Sequence, residues 1–404
     1  MKNKQFFSVL LALLMLLTPA LCVFSSAEKI GSSSDAVSQD AMDMVFGSPE
    51  GFDREIRRII LERNNALSLS DLQKMDKTED GRFAPTNNNL SIVLKACEEN
   101  STNAVNSLPS SYDISSKVPL PGNQGNLKSC TSWAFVYAAL AAKEVQKRGW
   151  TPRLDTHIFS PSHVHNSIVQ GNDRTTNYLE VLNYIKDNGV STIKYFPISG
   201  TSCSTQPNTK QLENASLYKG TQHDTVVGVS EMKQQIYNGN VVVLPIYEYS
   251  DFVNISWSNQ IYDVVSGNSL GTHSIALVGY DNSKGSGGAF KFINSWGTDW
   301  GLDGYGWISY TLAVSSTVNM VGTFGYYLNA VAQDNYKLGD IDENGTVTVS
   351  DAQAILSYSV GSTTPTARQF VLSDVDGDGS VTVSDSRHVL RYATALISQM
   401  PLYD

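Results

Sequence analysis

Basic residues are the scarcer charge in this 404-residue chain: 29 Lys and Arg face 39 Asp and Glu, a net charge of −10. A chain of that sign has no basic face to offer a phosphate backbone, so nucleic acid is not an expected partner. Charged residues of both signs make up only 17%, too few for a chain dominated by coiled coil or disorder. Cysteine is scarcer still, with Cys22, Cys97, Cys130 and Cys203 alone. Beyond the start of the chain no apolar stretch reaches the roughly 18 residues a membrane helix needs, so no membrane span is expected. Apolar side chains are plentiful at 41%, in a chain long enough for two or three domains.

The first residues read as an export signal over 1–27. Lys2 and Lys4 give a positive start, an apolar run follows over 6–17, and Ser25 and Ala27 occupy the −3 and −1 positions of a cleavage site before Glu28. The mature protein is therefore expected to be secreted and extracellular. Removing that segment leaves three cysteines, an odd number, so at least one thiol stays free. Residues 28–107 are polar and weakly patterned. One helix is expected over 53–64, where Ile56, Ile59 and Ile60 have helical spacing, and a second starting at Ser70 and Asp71. Residues 86–89 and 98–106 read as linker. From Leu108 to about Leu328 aromatic, Gly and β-branched residues increase, with strands expected over 241–247, 274–280 and 289–294.

The segment Asn123-Gln-Gly-Asn-Leu-Lys-Ser-Cys130-Thr-Ser-Trp-Ala-Phe135 precedes a run of strong helix formers over 136–147. Cys130 is thus expected at a helix N-terminus, where unpaired N–H groups and aligned peptide dipoles favour a thiolate. A thiolate nucleophile needs an imidazole to pair with it and to protonate the leaving amine. His273 opens a buried strand in Gly271-Thr-His-Ser-Ile-Ala-Leu-Val-Gly-Tyr280, and Asn294 leads Asn294-Ser-Trp-Gly-Thr-Asp-Trp-Gly301. An Asn carbonyl can hold the imidazole in one tautomer without adding charge. The order Cys, His, Asn has separations of 143 (273 − 130) and 21 (294 − 273). Taken singly, each residue has an ordinary alternative: a buried thiol, a structural His, a turn Asn. A metal site at His163 and His165 finds no further ligand near in sequence.

Residues 108–330 resemble the papain-like cysteine peptidases in their bacterial branch, through Leu108-Pro-Ser-Ser-Tyr-Asp113, the block from Gln124 to Phe135, the His273 block and Asn294-Ser-Trp-Gly297. The resemblance implies an α+β fold with a two-subdomain catalytic domain, a helical half plus a β-barrel-like half. It implies Cys130 as nucleophile, His273 as general base and acid, and Asn294 as the group orienting His273. Trp296 would shield that hydrogen bond, and Gln124 would donate to the oxyanion beside the Cys130 N–H. It also implies a propeptide over 28–107, a folded accessory region being the alternative, and a protein or peptide substrate; catalysis needs no cofactor. The chain departs from the family pattern in three places. Trp133 stands two places later than usual, Leu127 replaces a partner cysteine, and Gly171-Asn-Asp-Arg174 occupies the region where a Gly pair normally grips the substrate backbone. Cys97 and Cys203 either pair with each other or stay reduced.

From Lys337 to the end nine Asp/Glu face four Lys/Arg, a net of −5 and half the total. Two segments there, 340–358 and 374–392, repeat at an offset of 34 (374 − 340). Each has the alternating oxygen ligands of a calcium loop. In the first, Asp340, Asp342 and Asn344 take positions 1, 3 and 5, Gly345 the sharp turn, Thr346 position 7, Thr348 a contact through water and Asp351 position 12. Asp374, Asp376, Asp378, Gly379, Ser380, Thr382 and Asp385 fill the second. No good helix is expected to enter either loop; helices exit over 352–360 and 386–397. That arrangement, over 337–404, resembles a type I dockerin, a small all-α calcium-binding plug for cohesin modules of polysaccharide-degrading complexes. The resemblance implies two Ca²⁺ ions and a cohesin module of a scaffold protein as partner. Val349, Ser350, Leu356 and Ser357, and by symmetry Val383, Ser384, Leu390 and Arg391, would make the contact. The bland reading places the two leucines in the module's own core. Two functions compete for the chain: a tethered endopeptidase, and a papain-like binding or regulatory protein without proteolysis, tethered in the same way.

Overall fold

A computed structural model describes residues 36–62, 67, 69–101 and 108–401. The expected export signal lies outside them, as does the side chain of Cys97. No helix of the described residues is long and apolar enough to cross a membrane.

The β half is one sheet built from strands β1 (Ser111–Asp113), β2 (Gly220–Val227), β3 (Val242–Tyr249), β4 (Ile261–Tyr262), β5 (Ser269–Asp281), β6 (Ala289–Ile293), β7 (Tyr305–Ser309) and β8 (Phe324–Val331). Its order is β2-β8-β3-β5-β6-β7-β4, with β1 paired to β5. The apolar runs expected as strands are found there. β3 and β5 are buried over Val242–Ile246 and His273–Tyr280, because both of their faces are covered. They pair antiparallel with Ile246 opposite His273.

The helical half is led by one continuous helix in three parts: Cys130–Ser132, a wide π-helical stretch Trp133–Leu140, and Ala141–Arg148. Every residue from Cys130 to Ala142 is buried, as a helix apolar on all sides requires. Ala134, Ala138, Ala139, Ala141 and Ala142 let β3, β5 and β8 approach its backbone. The π stretch, a geometry common near functional sites, begins at the displaced Trp133. That ring packs on Tyr137 at 4.6 Å and over Gly122, where a Cβ would come within 2.5 Å of it.

The described residues between 36 and 101 hold more helix than their polarity suggests. The first helix runs over Pro49–Glu62, starting earlier than expected, and buries Phe52, Ile56 and Ile59. Leu69–Lys74 forms a second short helix, with Ser70 inside it. The expected linker around 86–89 and 98–106 is instead the helix Asn87–Ser101, with 102–106 outside the described residues. Thr86 Oγ1 accepts from the Asn89 N–H at 3.2 Å, and buried Asn89 bonds both Asp76 and Ala84. Three consecutive asparagines look like a loop, yet behind a Thr cap they start a helix.

At the C-terminal end, helices Val349–Ser359 and Val383–Ala393 pack on one another, and the Ser386 hydroxyl donates to the Ala352 carbonyl at 2.7 Å.

Candidate active site and calcium loops

Cys130 opens its helix with Ser129 at the N-cap. Its thiol lies close to Ser274, the residue after His273, whose backbone and hydroxyl favour the anion. Tyr178 donates to the same Ser274 hydroxyl at 3.1 Å, and Thr131 donates to the Thr176 carbonyl at 2.9 Å. His273 Nε2 meets Asn294 Oδ1 at 2.8 Å. The Ser295 N–H donates to that same oxygen at 2.8 Å, so the atom can only accept from His273. Nε2 therefore carries the hydrogen, and Nδ1 is the nitrogen left to exchange a proton with a thiol. Trp296 stacks near the imidazole at 4.8 Å and is itself backed by Phe252 and Trp300, an apolar wall around the His273–Asn294 bond.

Burial acts against the expected thiolate in the chain as it stands. Burial pushes the Cys130 thiol up, against the hydrogen bonds from Ser274 and Thr131 that stabilise the anion. Burial also pulls His273 down to about 4, with Asn294 opposing it. In both groups burial opposes the charged form. Residues 38–47 pack against elements flanking this pair. The Ser38 hydroxyl bonds the Tyr247 hydroxyl at 2.8 Å, one residue along β3 from the partner of His273. Gly47, at φ +74°, packs against the Asn177 amide, next to Thr176 and the thiol helix. Met42, Met44, Val45 and Phe46 between them are buried.

Gln124 is buried and firmly held. Its N–H donates to the Ser295 carbonyl at 2.8 Å, its Oε1 accepts from the Ser295 hydroxyl at 2.6 Å, and its Nε2 donates to the Leu127 carbonyl at 2.7 Å. One N–H of that amide remains for a ligand. Ser295, Ser274, Thr131 and Tyr178 are the site residues that sequence reasoning missed; a Ser inside the apolar run of β5 was the available signal. The Gly171–Arg174 region is committed to structure. Asp173 accepts from the Lys128 N–H at 3.1 Å and bonds His165 Nε2 at 2.9 Å, while Arg174 pairs with Glu180. Cys203 is a free buried thiol near His165 and Asp173. His163 stands between Tyr184 and Phe196, away from that group.

The papain family cysteine protease profile matches residues 108–324. The chain belongs to that family. A dockerin type I domain matches residues 338–392. Among curated proteins, "Gamete and mating-type specific protein A" of Dictyostelium discoideum is 30% identical over 189 residues, 45% of this chain and 38% of that protein. "Cysteine proteinase 1" of Entamoeba histolytica is 25% identical over 194 residues, 45% of this chain and 57% of that protein. The matched region thus spans 38% and 57% of these relatives' own lengths. Among solved structures, xylellain of Xylella fastidiosa is 20% identical over 56% of this chain and 88% of its own, with a TM-score of 0.47. The protease and lectin-like domains of Cwp84 of Clostridium difficile are 19% identical over 58% and 55%, with a TM-score of 0.46.

In the dockerin of this papain-family chain, donor atoms of Asp340, Asp342 and Asp351 lie within 4.8 Å of one another, as do those of Asp374, Asp376 and Asp378. Gly345 and Gly379 turn at φ +91° and +83° and return their N–H groups to Asp340 and Asp374 at 2.9 and 2.8 Å. Asn344 and Asp378 accept from the Thr346 and Ser380 N–H groups. Burial and neighbouring carboxylates raise Asp385 and push Asp374 up to about 7, against bonds from Tyr195 and Gly379. One Asp374 oxygen, Oδ1, is buried without a partner. Oxygen-only donors, an orphaned carboxylate oxygen and mutual repulsion all fit a hard divalent cation.

Two expectations are corrected here. The exiting helices start earlier, at Val349 and Val383, because Thr348 and Thr382 are their N-caps; their hydroxyls bond Asp351 and Asp385 at 2.8 and 2.9 Å. The second loop also has an entering helix, Ala367–Ser373, started by a Thr366–Gln369 capping box. Val349, Leu356, Val383 and Leu390 are 43, 42, 56 and 41% exposed. Ile355 and Val389 fill the core instead, so the two leucines are not core residues. Ser350 and Arg391 are exposed, and Ser357 and Ser384 half-buried, along the same helices.

Proposed function

We propose that the protein is a secreted cysteine endopeptidase, anchored to a cohesin-bearing scaffold by a dockerin carrying two Ca²⁺ ions. The observation that carries the enzymatic half is the His273–Asn294 bond of 2.8 Å beside a thiol at a helix start. Cys130 passes its proton to His273 Nδ1, and Sγ adds to the scissile carbonyl carbon. The oxyanion is held by the Cys130 N–H and the remaining Gln124 amide hydrogen. The imidazolium then protonates the departing amine, and water, activated by the same His273, releases the acyl group. Asn294 keeps the ring in one tautomer and Trp296 keeps water from that bond.

The organisation we infer is an export signal over 1–27, a propeptide over 28–107, the peptidase over 108–330 and the dockerin over 337–404. The crossing by residues 38–47 supports the covering role of the propeptide, and removal of that cover would let the thiol ionise. In the dockerin, Asp340, Asp342, Asn344, Asp351 and their counterparts Asp374, Asp376, Asp378 and Asp385 would hold calcium, which when bound neutralises the loops. The alternative, a papain-like binding protein, is favoured only by the burial that opposes the charged forms of Cys130 and His273.

A thiol-directed epoxide separates the two readings. Protein trimmed at residue 107 should be labelled and should cleave peptides, and Cys130→Ala should do neither; full proteolysis by Cys130→Ala would defeat the assignment. Cohesin binding should be abolished by chelator, and binding that survives both EDTA and Asp340/Asp374 substitution would exclude the calcium mechanism.

A further inference from the structure

The two calcium loops match in sequence but not in surroundings. Asp340 receives its hydrogen bonds from within its own loop, from Asn344 and Gly345. Asp374, its counterpart, is 2% exposed and receives one donor from outside the module. The Tyr195 hydroxyl donates to Asp374 Oδ2 at 2.5 Å, beside the Gly379 N–H at 2.8 Å. That leaves Oδ1 buried, unpartnered and free to face a cation.

The contact belongs to a built interface. The Ala367–Ser373 helix packs against Thr209–Ser216 of the peptidase, with Lys210 over the Phe370 ring at 3.5 Å and Arg368 reaching Ser216. Asp374, Leu338 and Val371 line one small cavity with Tyr195, Leu217 and Tyr218. The intervening chain is held too: Asp334 accepts from Arg148 and Lys147 at 2.7 and 2.6 Å. The exposed apolar residues proposed to meet cohesin are not part of this contact, so the module can be fastened here and still present them.

We propose that Tyr195 is a positioning residue for calcium in the second loop, so that this site is completed by the peptidase and its affinity depends on packing between the two modules. This rests on the calcium reading above. A phenol donating to Oδ2 fixes the plane of the carboxylate and spares Oδ1 for the metal, without removing negative charge. Donors in that outer position typically contribute on the order of 10-fold in metal affinity. By linkage, calcium in the second loop strengthens the packing by the same factor that packing strengthens calcium.

The test is calorimetric titration of Ca²⁺ into the full chain with one loop disabled at a time. In the Asp340→Ala background, where only the second loop remains, Tyr195→Phe should weaken the Kd about 10-fold. In the Asp374→Ala background, where only the first loop remains, it should leave the Kd unchanged, which also reports an intact fold. An unchanged Kd in the first background, or an equal loss in both, overturns the proposal while the calcium reading stands. Absence of any calcium uptake by the unsubstituted chain overturns the calcium reading and the coupling with it.

Discussion

Asn294 Oδ1 is shared by two donors, His273 Nε2 and the Ser295 N–H, each at 2.8 Å. The backbone bond fixes the amide, and the amide fixes the imidazole. Asn294→Ala should therefore lower kcat by about 100-fold, the scale of positioned acid–base catalysis, with little change in KM. Its pH–rate profile should shift as well, because His273 loses the partner that favours its charged form. An unchanged profile in steady-state assays would refute this role.

His163 and His273 are buried as neutral rings. Burial pulls both His163 and His273 to about 4. Between pH 6.5 and 4 the folded state then binds fewer protons than the unfolded chain, so stability falls as pH falls through that window. Each ring contributes about 3 kcal/mol to the loss. Melting of Cys130→Ala should drop steeply from pH 6.5 to 4.5, and a flat curve would contradict the burial.

Gly47 lies at φ +74°, and a Cβ there would stand 2.5 Å from the Asn177 amide. Gly47→Ala should loosen the cover by about 1–3 kcal/mol. The untrimmed chain should then react with a thiol-directed epoxide roughly 10-fold faster or more, read by mass spectrometry over time. The trimmed enzyme, lacking residue 47, gives the upper limit of that rate.

Leu356 and Leu390 project from their helices while Ile355 and Val389 fill the core. Replacing both leucines by Ala should weaken cohesin binding by at least 10-fold, since truncating a central apolar anchor costs about 2 kcal/mol. Calcium uptake and melting should not change. Replacing only one should cost far less if either repeat can dock. Surface plasmon resonance against cohesin with each single and double variant checks both statements.

The proposed trio could be picked out because Cys130, His273 and Asn294 each sit in a local motif, and the strands because β3 and β5 are continuous apolar runs. The clustered loop carboxylates could be picked out because a loop supplies its own donors. What escaped was non-local. Residues 38–47 bridge Tyr247 of β3 and Asn177 beside the helical half, and nothing near Cys130 in sequence announces them. Ser295 reaches Gln124 across 171 residues, and Tyr195 reaches Asp374 across 179. The helices at Asn87 and Ala367 were hidden for a local reason: Thr86 and Thr366 cap polar stretches that otherwise resemble loop.

Ser386 and Ala352 touch, and they are also the same residue position in the two repeats, 34 apart. Corresponding positions meet there, as they would near the axis of a two-fold relation between the repeats. The peptidase, however, grips the module off to one side, at Asp374, the helix before it and Leu338. A cohesin that accepted the plug either way round would receive an equivalent face each time. The protease would swing to opposite flanks of the scaffold, giving one enzyme two working territories from a single anchoring point.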